Sequence, residues 1–310
     1  MIAKHAPPAP VPAPVVHGAD RPRALPFRAV LVRITVTAFS RDDCSEVPVR
    51  GVLLDLDGVL YVGEEAVAGA VDTVEWLRRH EIPHLFLTNT SSRPRSSLVA
   101  KLAGIGIDVT ETDLLTPAVA AASWLRASCP GRPALFVPEQ TSTEFAELDP
   151  LPTGAEGDAA SVVVGDLGEG WDFRTLNRAF RLLMGEPRPA LVALGMTRYW
   201  RAPDGLRLDA GAFVRALEYA SGVEAAVMGK PAPAFFAAAV DRLDLPREEV
   251  VMVGDDLRAD VDGAQQSGLA GVLVRTGKFS VADLHGDVTP QAVLDSVADL
   301  PSWWEQASSA

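Results

Sequence analysis

The sequence predicts an α/β protein built on a parallel sheet and interrupted midway by a second α/β block. Three observations lead there. Short apolar runs such as VRGVLLDLDG (49–58), HLFLTN (84–89) and VVMVGD (250–255) end in Asp, Asn or Gly, as strands buried on both faces do. Segments of helical spacing separate them, and strand–helix alternation means βαβ units. The chain has 310 residues, 48% hydrophobic and 22% charged, so it can bury a core without a disulfide or metal staple.

Taken in order, residues 1–47 read as a Pro/Ala-rich, disordered extension, with seven Lys/Arg against four Asp/Glu over 1–50. They read as a dispensable tail or a misplaced start, with a docking arm as the alternative. RAVLVRITVTAF (28–39) alternates enough to be a strand. From Val49 the first core strand begins. Val71, Val74 and Leu77 give Ala70–His80 helical spacing, and 84–89 is the next strand. Ser92-Arg93-Pro94 starts a helix with Pro at its first position, ended by Gly104 and Gly106; Thr116-Pro117 starts another that runs to about Ser128. Residues 131–224 form the insert. Strands are expected at 134–138, 161–167 and 190–195, and helices at 141–148, 172–184 and 210–221. Core strands then resume at 224–229, 250–255 and 270–275, with helices at 232–243 and 258–267. The expected domains are therefore a core of 48–130 with 225–300, a cap-like insert at 131–224, and a tail at 301–310.

The net charge of −13 argues against a nonspecific grip on nucleic acid or an anionic membrane. It leaves room for an anionic small substrate at a locally positive site. No apolar window is long enough to span a bilayer, and the N-terminus lacks a secretory h-region. Two cysteines and no zinc-spaced cluster fit a reducing cytoplasm.

Four constellations carry chemistry. Asp55 and Asp57 stand at a strand end, and i, i+2 spacing in a strand would point both carboxylates one way. A divalent cation would keep Asp55 ionised as a nucleophile while Asp57 cycles as acid and base. A simple Asp-Gly turn is the plainer alternative. Thr88 and Asn89, with Thr90 to Ser92, place hydroxyl and amide groups ahead of a helix, suited to a phosphate or to capping. Lys230, in Gly-Lys-Pro, would sit at the sheet mouth to neutralise phosphate oxygens, or else be an exposed loop lysine. Asp255 and Asp256 end a strand, with Asp260 one turn on; hard carboxylate oxygens suit Mg²⁺, though acids also favour a helix N-terminus. Tyr199 and Trp200 follow an insert strand, as substrate contacts or as core packing. Trp303 and Trp304 leave core packing and self-association equally open, and His80, His84 and His285 are scattered without a pattern.

In this order, LLDLDGVLY, LTN, the lysine of GKP and VGDDLRADVDGAQQSG resemble the four motifs of the haloacid dehalogenase-like hydrolase superfamily. An insert of roughly 95 residues between the second and third motifs looks like subfamily IIA, the NagD and nitrophenylphosphatase type. TRYWRAPDGLRLDAGAFVRALEYASG and VRTGKF look closest to its phospholysine phosphohistidine inorganic pyrophosphate phosphatase-like branch. The resemblance implies a Rossmann-like core with a large α/β cap between those motifs. It implies Asp55 as nucleophile, Asp57 as acid and base, Thr88 and Asn89 as phosphoryl holders, and Lys230 as charge balance. It implies Mg²⁺ on Asp55, the Asp57 carbonyl and Asp255, supported by Asp260, with Asp256 left unassigned. The expected activity is Mg²⁺-dependent hydrolysis of a phosphomonoester or phosphoramide on a small metabolite. A phospho-receiver without turnover, a phosphomutase and a dehalogenase are the alternatives, and a homo-oligomer is compatible with any of them.

Overall fold

The computed structural model describes residues 48–202 and 204–307. The N-terminal extension and its expected strand at 28–39 lie outside the described residues. In chain order the strands are β1 (Gly51–Asp55), β2 (Tyr61–Val62), β3 (Glu65–Ala66), β4 (His84–Leu87), β5 (Leu114–Leu115), β6 (Pro133–Phe136), β7 (Ser161–Val164), β8 (Ala190–Ala193), β9 (Tyr199–Ala202), β10 (Gly205–Leu208), β11 (Ala225–Val227), β12 (Val250–Gly254), β13 (Ala270–Val274) and β14 (Ala292–Leu294).

The core sheet runs β14-β13-β12-β1-β4-β5, every pairing parallel. All five residues of β1 are buried, because helices cover both faces. Val52 and Leu54 pack on one side with Val74, Leu77, Leu98 and Leu102, whereas Leu53 packs on the other with Phe235, Phe236 and Ala239. Each leucine so buried contributes about 1.5–3 kcal/mol. From β1 the chain proceeds to β4 on one side, while β12 flanks β1 on the other. The carboxyl ends at this reversal form the crevice where ligands of open α/β sheets bind.

The cap sheet runs β11-β8-β7-β6, also parallel. Val162 and Val164 face the cap's own helices, Phe173–Leu183 and Ala210–Ser221, while Val163 belongs to the cluster that continues into the core through Leu125 and Phe145. Both sheets therefore fold as one compact unit. Phe136, Trp171 and Phe213 stack at 5.8 and 4.8 Å beside the cap sheet.

Three expectations change. Residues 225–227 do not join the core sheet: β11 pairs with β8, so the cap runs on to about Val227. Periodicity identifies a strand but not its sheet. The supposed tail is a helix, Leu300–Ala307, whose Trp303 and Trp304 pack on the core, with Trp304 edge-on to Trp76 at 6.4 Å. Finally, Pro94 caps its helix rather than opening it, and the helix expected at 232–243 runs Pro233–Leu243 with Ala232 at its N-cap. Thr116 and Pro117 do start their helix, with the Thr116 hydroxyl accepting from the Val119 N–H at 3.3 Å.

Candidate active site

β1 ends at Asp55, and its buried carboxylate points into the crevice. Asp57 lies beyond the strand, exposed in the loop that follows. Asp57 therefore reaches the site from the loop after β1 and not from within the strand. Both aspartates nonetheless line one cavity of about 420 Å³, together with Thr88, Asn89, Lys230 and Asp260. The loops after β1, β4 and β12, and the joint after β11, converge there.

Lys230 is the hub. Its Nζ lies 2.6 Å from Asp55 Oδ1 and 2.6 Å from Asp260 Oδ1. Burial alone would lower the ammonium pKa, but Asp260 and Asp55 outweigh it and hold the charge on. Burial raises Asp55, against the pull of Lys230, and pushes Asp260 up to about 6. Asp260 sits on a turn of π-helix, Leu257–Asp262, a distortion found at functional sites. It comes so close to β12 that a Cβ on Gly254 would lie 2.2 Å from its Oδ2. That same oxygen accepts the Asp256 N–H at 3.1 Å.

Asp255 is nearly fully buried. Its Oδ2 accepts the Lys278 N–H at 2.6 Å, while Oδ1 has no hydrogen-bond partner. An orphaned buried carboxylate oxygen is costly unless a cation meets it. Asp55, Asp255 and Asp260 each offer an oxygen within 4.8 Å of the others. Three hard oxygen donors in so small a space fit Mg²⁺. Asp256 has other work: its Oδ1 accepts from the Arg258 and Ala259 N–H groups at 3.0 and 2.9 Å, capping the π-helical turn.

Thr88 is buried and its hydroxyl accepts the Thr90 N–H at 3.1 Å. Asn89 has a task its motif did not suggest. Its Oδ1 accepts the Lys230 N–H at 2.7 Å, and its Nδ2 donates to the Lys230 carbonyl at 2.8 Å. Its amide thus positions the lysine main chain. Trp200 lines the cavity from the β9–β10 hairpin; Tyr199 is 51% exposed, so core packing describes neither.

Three contributors escaped the sequence reading. Lys278 belongs to the loop that clamps Asp255. Asp166 and Asp209 face the cavity from the cap. An acid near the carboxyl end of the strand expected at 161–167 was the available signal for Asp166.

A family profile described as haloacid dehalogenase-like hydrolase matches residues 52–149, and a HAD-hydrolase-like profile matches 227–300. The phospholysine phosphohistidine inorganic pyrophosphate phosphatase of Bos taurus is 41% identical over 256 residues, covering 81% of this chain and 92% of that protein. Haloacid dehalogenase-like hydrolase domain-containing protein 2 of Mus musculus is 39% identical over 236 residues, covering 76% and 87%. Among solved structures, NagD from E. coli K-12 superposes with a TM-score of 0.72 at 25% identity, over 82% of this chain and 98% of that one. The 4-nitrophenylphosphatase of Thermotoga maritima gives a TM-score of 0.72 at 25% identity, over 82% and 97%. By sequence and by fold, the chain belongs to the haloacid dehalogenase-like hydrolases, in the NagD and nitrophenylphosphatase subfamily.

Proposed function

We propose that this chain is an Mg²⁺-dependent phosphatase that hydrolyses a phosphomonoester or phosphoramide of a small metabolite through an aspartyl phosphate on Asp55. The carrying observation is the buried hub: Asp55 and Asp260 at 2.6 Å from one ammonium, with an Asp255 oxygen within 4.8 Å of both carboxylates. The names of the relatives favour the same class.

Lys230 pulls Asp55 toward its anionic form, against the burial that raises it, and offsets charge on the phosphoryl oxygens. The Thr88 hydroxyl and the loop it opens hold the phosphoryl group in line. An Asp55 carboxylate oxygen bonds to phosphorus as the bond to the leaving oxygen or nitrogen breaks, and Asp57 gives that atom its proton. Asp57 then takes a proton from water, whose oxygen attacks phosphorus and releases Asp55 and inorganic phosphate. Asp55, Asp255 and the Asp57 carbonyl would hold Mg²⁺, with Asp260 in support. When bound, the ion neutralises charge on the nucleophile and on the phosphoryl group. The cytoplasm is the compartment this reading assigns; among the described residues no helix is long and apolar enough to cross a membrane.

The test is phosphate release from 4-nitrophenyl phosphate. Asp55→Asn is expected to lose at least about a thousandfold in kcat while keeping its melting temperature, since it removes the nucleophile outright. Chelation should abolish wild-type turnover and added Mg²⁺ should restore it. Near-wild-type turnover by Asp55→Asn would remove the nucleophile assignment, and a single stoichiometric burst would point to a receiver instead.

A further inference from the structure

Between β4 and the helix Arg95–Gly104 the chain runs irregularly through Thr88–Ser92, the loop that takes the phosphoryl group in the reading above. Among the described residues, its internal hydrogen bonds join only Thr88 and Thr90. A segment with so few bonds of its own keeps one conformation only through partners elsewhere. Asn89 finds its partner in the Lys230 main chain. Ser91 and Ser92 find theirs in the cap.

Ser91 is gripped at both ends. Its carbonyl accepts the Thr141 hydroxyl at 3.1 Å, and its own hydroxyl accepts the Asp166 N–H at 3.3 Å. The Ser92 carbonyl accepts Gln140 Nε2 at 2.8 Å. Gln140 and Thr141 sit on Glu139–Ser142, the turn of helix after β6, and Asp166 follows β7. That turn is itself anchored. It leads into Thr143–Leu148, whose Phe145 is fully buried in one cluster with Leu125, Val163 and Leu194.

Thr141 stands out in this group, because it is 0% exposed. A buried hydroxyl is costly unless it is hydrogen-bonded, and packing alone would be served as well by Val. The hydroxyl donates to a carbonyl 50 positions upstream, in a different sheet's loop. That bond also orients a peptide. The 91–92 peptide is trans, so its N–H opposes its carbonyl and the Ser92 N–H turns away from Thr141. Among the described residues this N–H has no acceptor. Ser91 and Ser92 both line the cavity.

We infer that Thr141, seconded by Gln140, is a positioning residue: from the cap, it fixes the peptide between Ser91 and Ser92 and with it the course of the loop that holds the phosphoryl group. This rests on the phosphatase reading above. Thr141 touches no member of the acid cluster, so its action falls on the phosphoryl end of the site and not on the metal.

The experiment uses the full chain, with 4-nitrophenyl phosphate as substrate and inorganic phosphate as inhibitor. Thr141→Val keeps the shape and removes the donor. It is expected to lower kcat about ten- to hundredfold, as a misplacement of about 1 Å remote from the chemistry does. Inhibition by phosphate should weaken about fivefold, the equivalent of one hydrogen bond. The Mg²⁺ concentration for half-maximal turnover should not move. Thr141→Ser restores the donor and should return kcat to within about twofold of the wild type. Wild-type kinetics in folded Thr141→Val overturn the inference. So does an equal loss in Thr141→Ser, which would make the position one of packing, and so does a matching shift in the Mg²⁺ requirement. If Thr141→Val does not fold, Gln140→Ala carries the test from an exposed position. A kcat lowered about threefold supports the grip from the cap, and an unchanged kcat overturns it. Absence of turnover by the wild type overturns the inference together with the reading beneath it.

Discussion

Gly277 has φ +63°, and a Cβ there would lie 2.0 Å from Asp255 Oδ2. Only a residue without a side chain lets the 276–278 loop settle onto that carboxylate, so that the Lys278 N–H fixes one oxygen and leaves the other free. Gly277→Ala is therefore expected to weaken Mg²⁺ binding by about 10–100-fold, the usual cost of disturbing the groups that orient a metal ligand. Calorimetric titration of the variant with Mg²⁺ would show it, and unchanged affinity would mean that the loop does not set Asp255. At this scale the sequence was partly legible. Asp55, Lys230, Asp255 and Asp260 stood out because strand ends, Gly-Pro joints and acid pairs are local patterns. The work of Asn89 was hidden, because its partner lies 141 positions away and its amide suits a phosphate equally well. The clamp on Asp255 was hidden for the same reason, arriving from Lys278, 23 residues downstream.

Among elements, the latch between core and cap is the short helical stretch after β6. The buried Glu144 carboxylate accepts the Arg95 N–H at 2.8 Å and lies 2.9 Å from the Arg95 guanidinium. Thr141 and Gln140 donate to the carbonyls of Ser91 and Ser92 at 3.1 and 2.8 Å. The cap thereby pins the loop that receives the phosphoryl group. Glu144→Ala is expected to cost about 2 kcal/mol, since it leaves the Arg95 backbone N–H and Nε–H without their acceptor. Urea unfolding should show a lower midpoint at constant m-value; an unchanged midpoint would mean the latch adds nothing. Elements buried on both faces were the easiest to read, since β1, β7 and β12 are unbroken apolar runs. The β9–β10 hairpin was missed as a hairpin: Tyr199, Leu206 and Leu208 are exposed, so no buried face imposes an alternation.

For the whole molecule, the described chain ends in a helix that closes one face of the core. Trp304 meets Trp76 on the helix Ala70–Arg79, which covers the sheet below. Trp304→Ala should lower stability by about 2 kcal/mol, less than a fully buried aromatic because the ring is half-buried. Thermal unfolding followed by tryptophan fluorescence would measure it, and an unshifted transition would make the last helix an ornament. The course of the chain between its two sheets carries a mechanical consequence. β11 is cap, yet Lys230 stands three residues beyond its end. Asn89 grips the lysine main chain on both sides from the core, and Gly229 is wedged so tightly that a Cβ would lie 2.9 Å from the Leu194 carbonyl. The tether is thus nailed down at the threshold. Should the lid swing to admit or discharge cargo, the pivot falls upstream of that fastening, and the ammonium stays docked with its carboxylates while the roof moves.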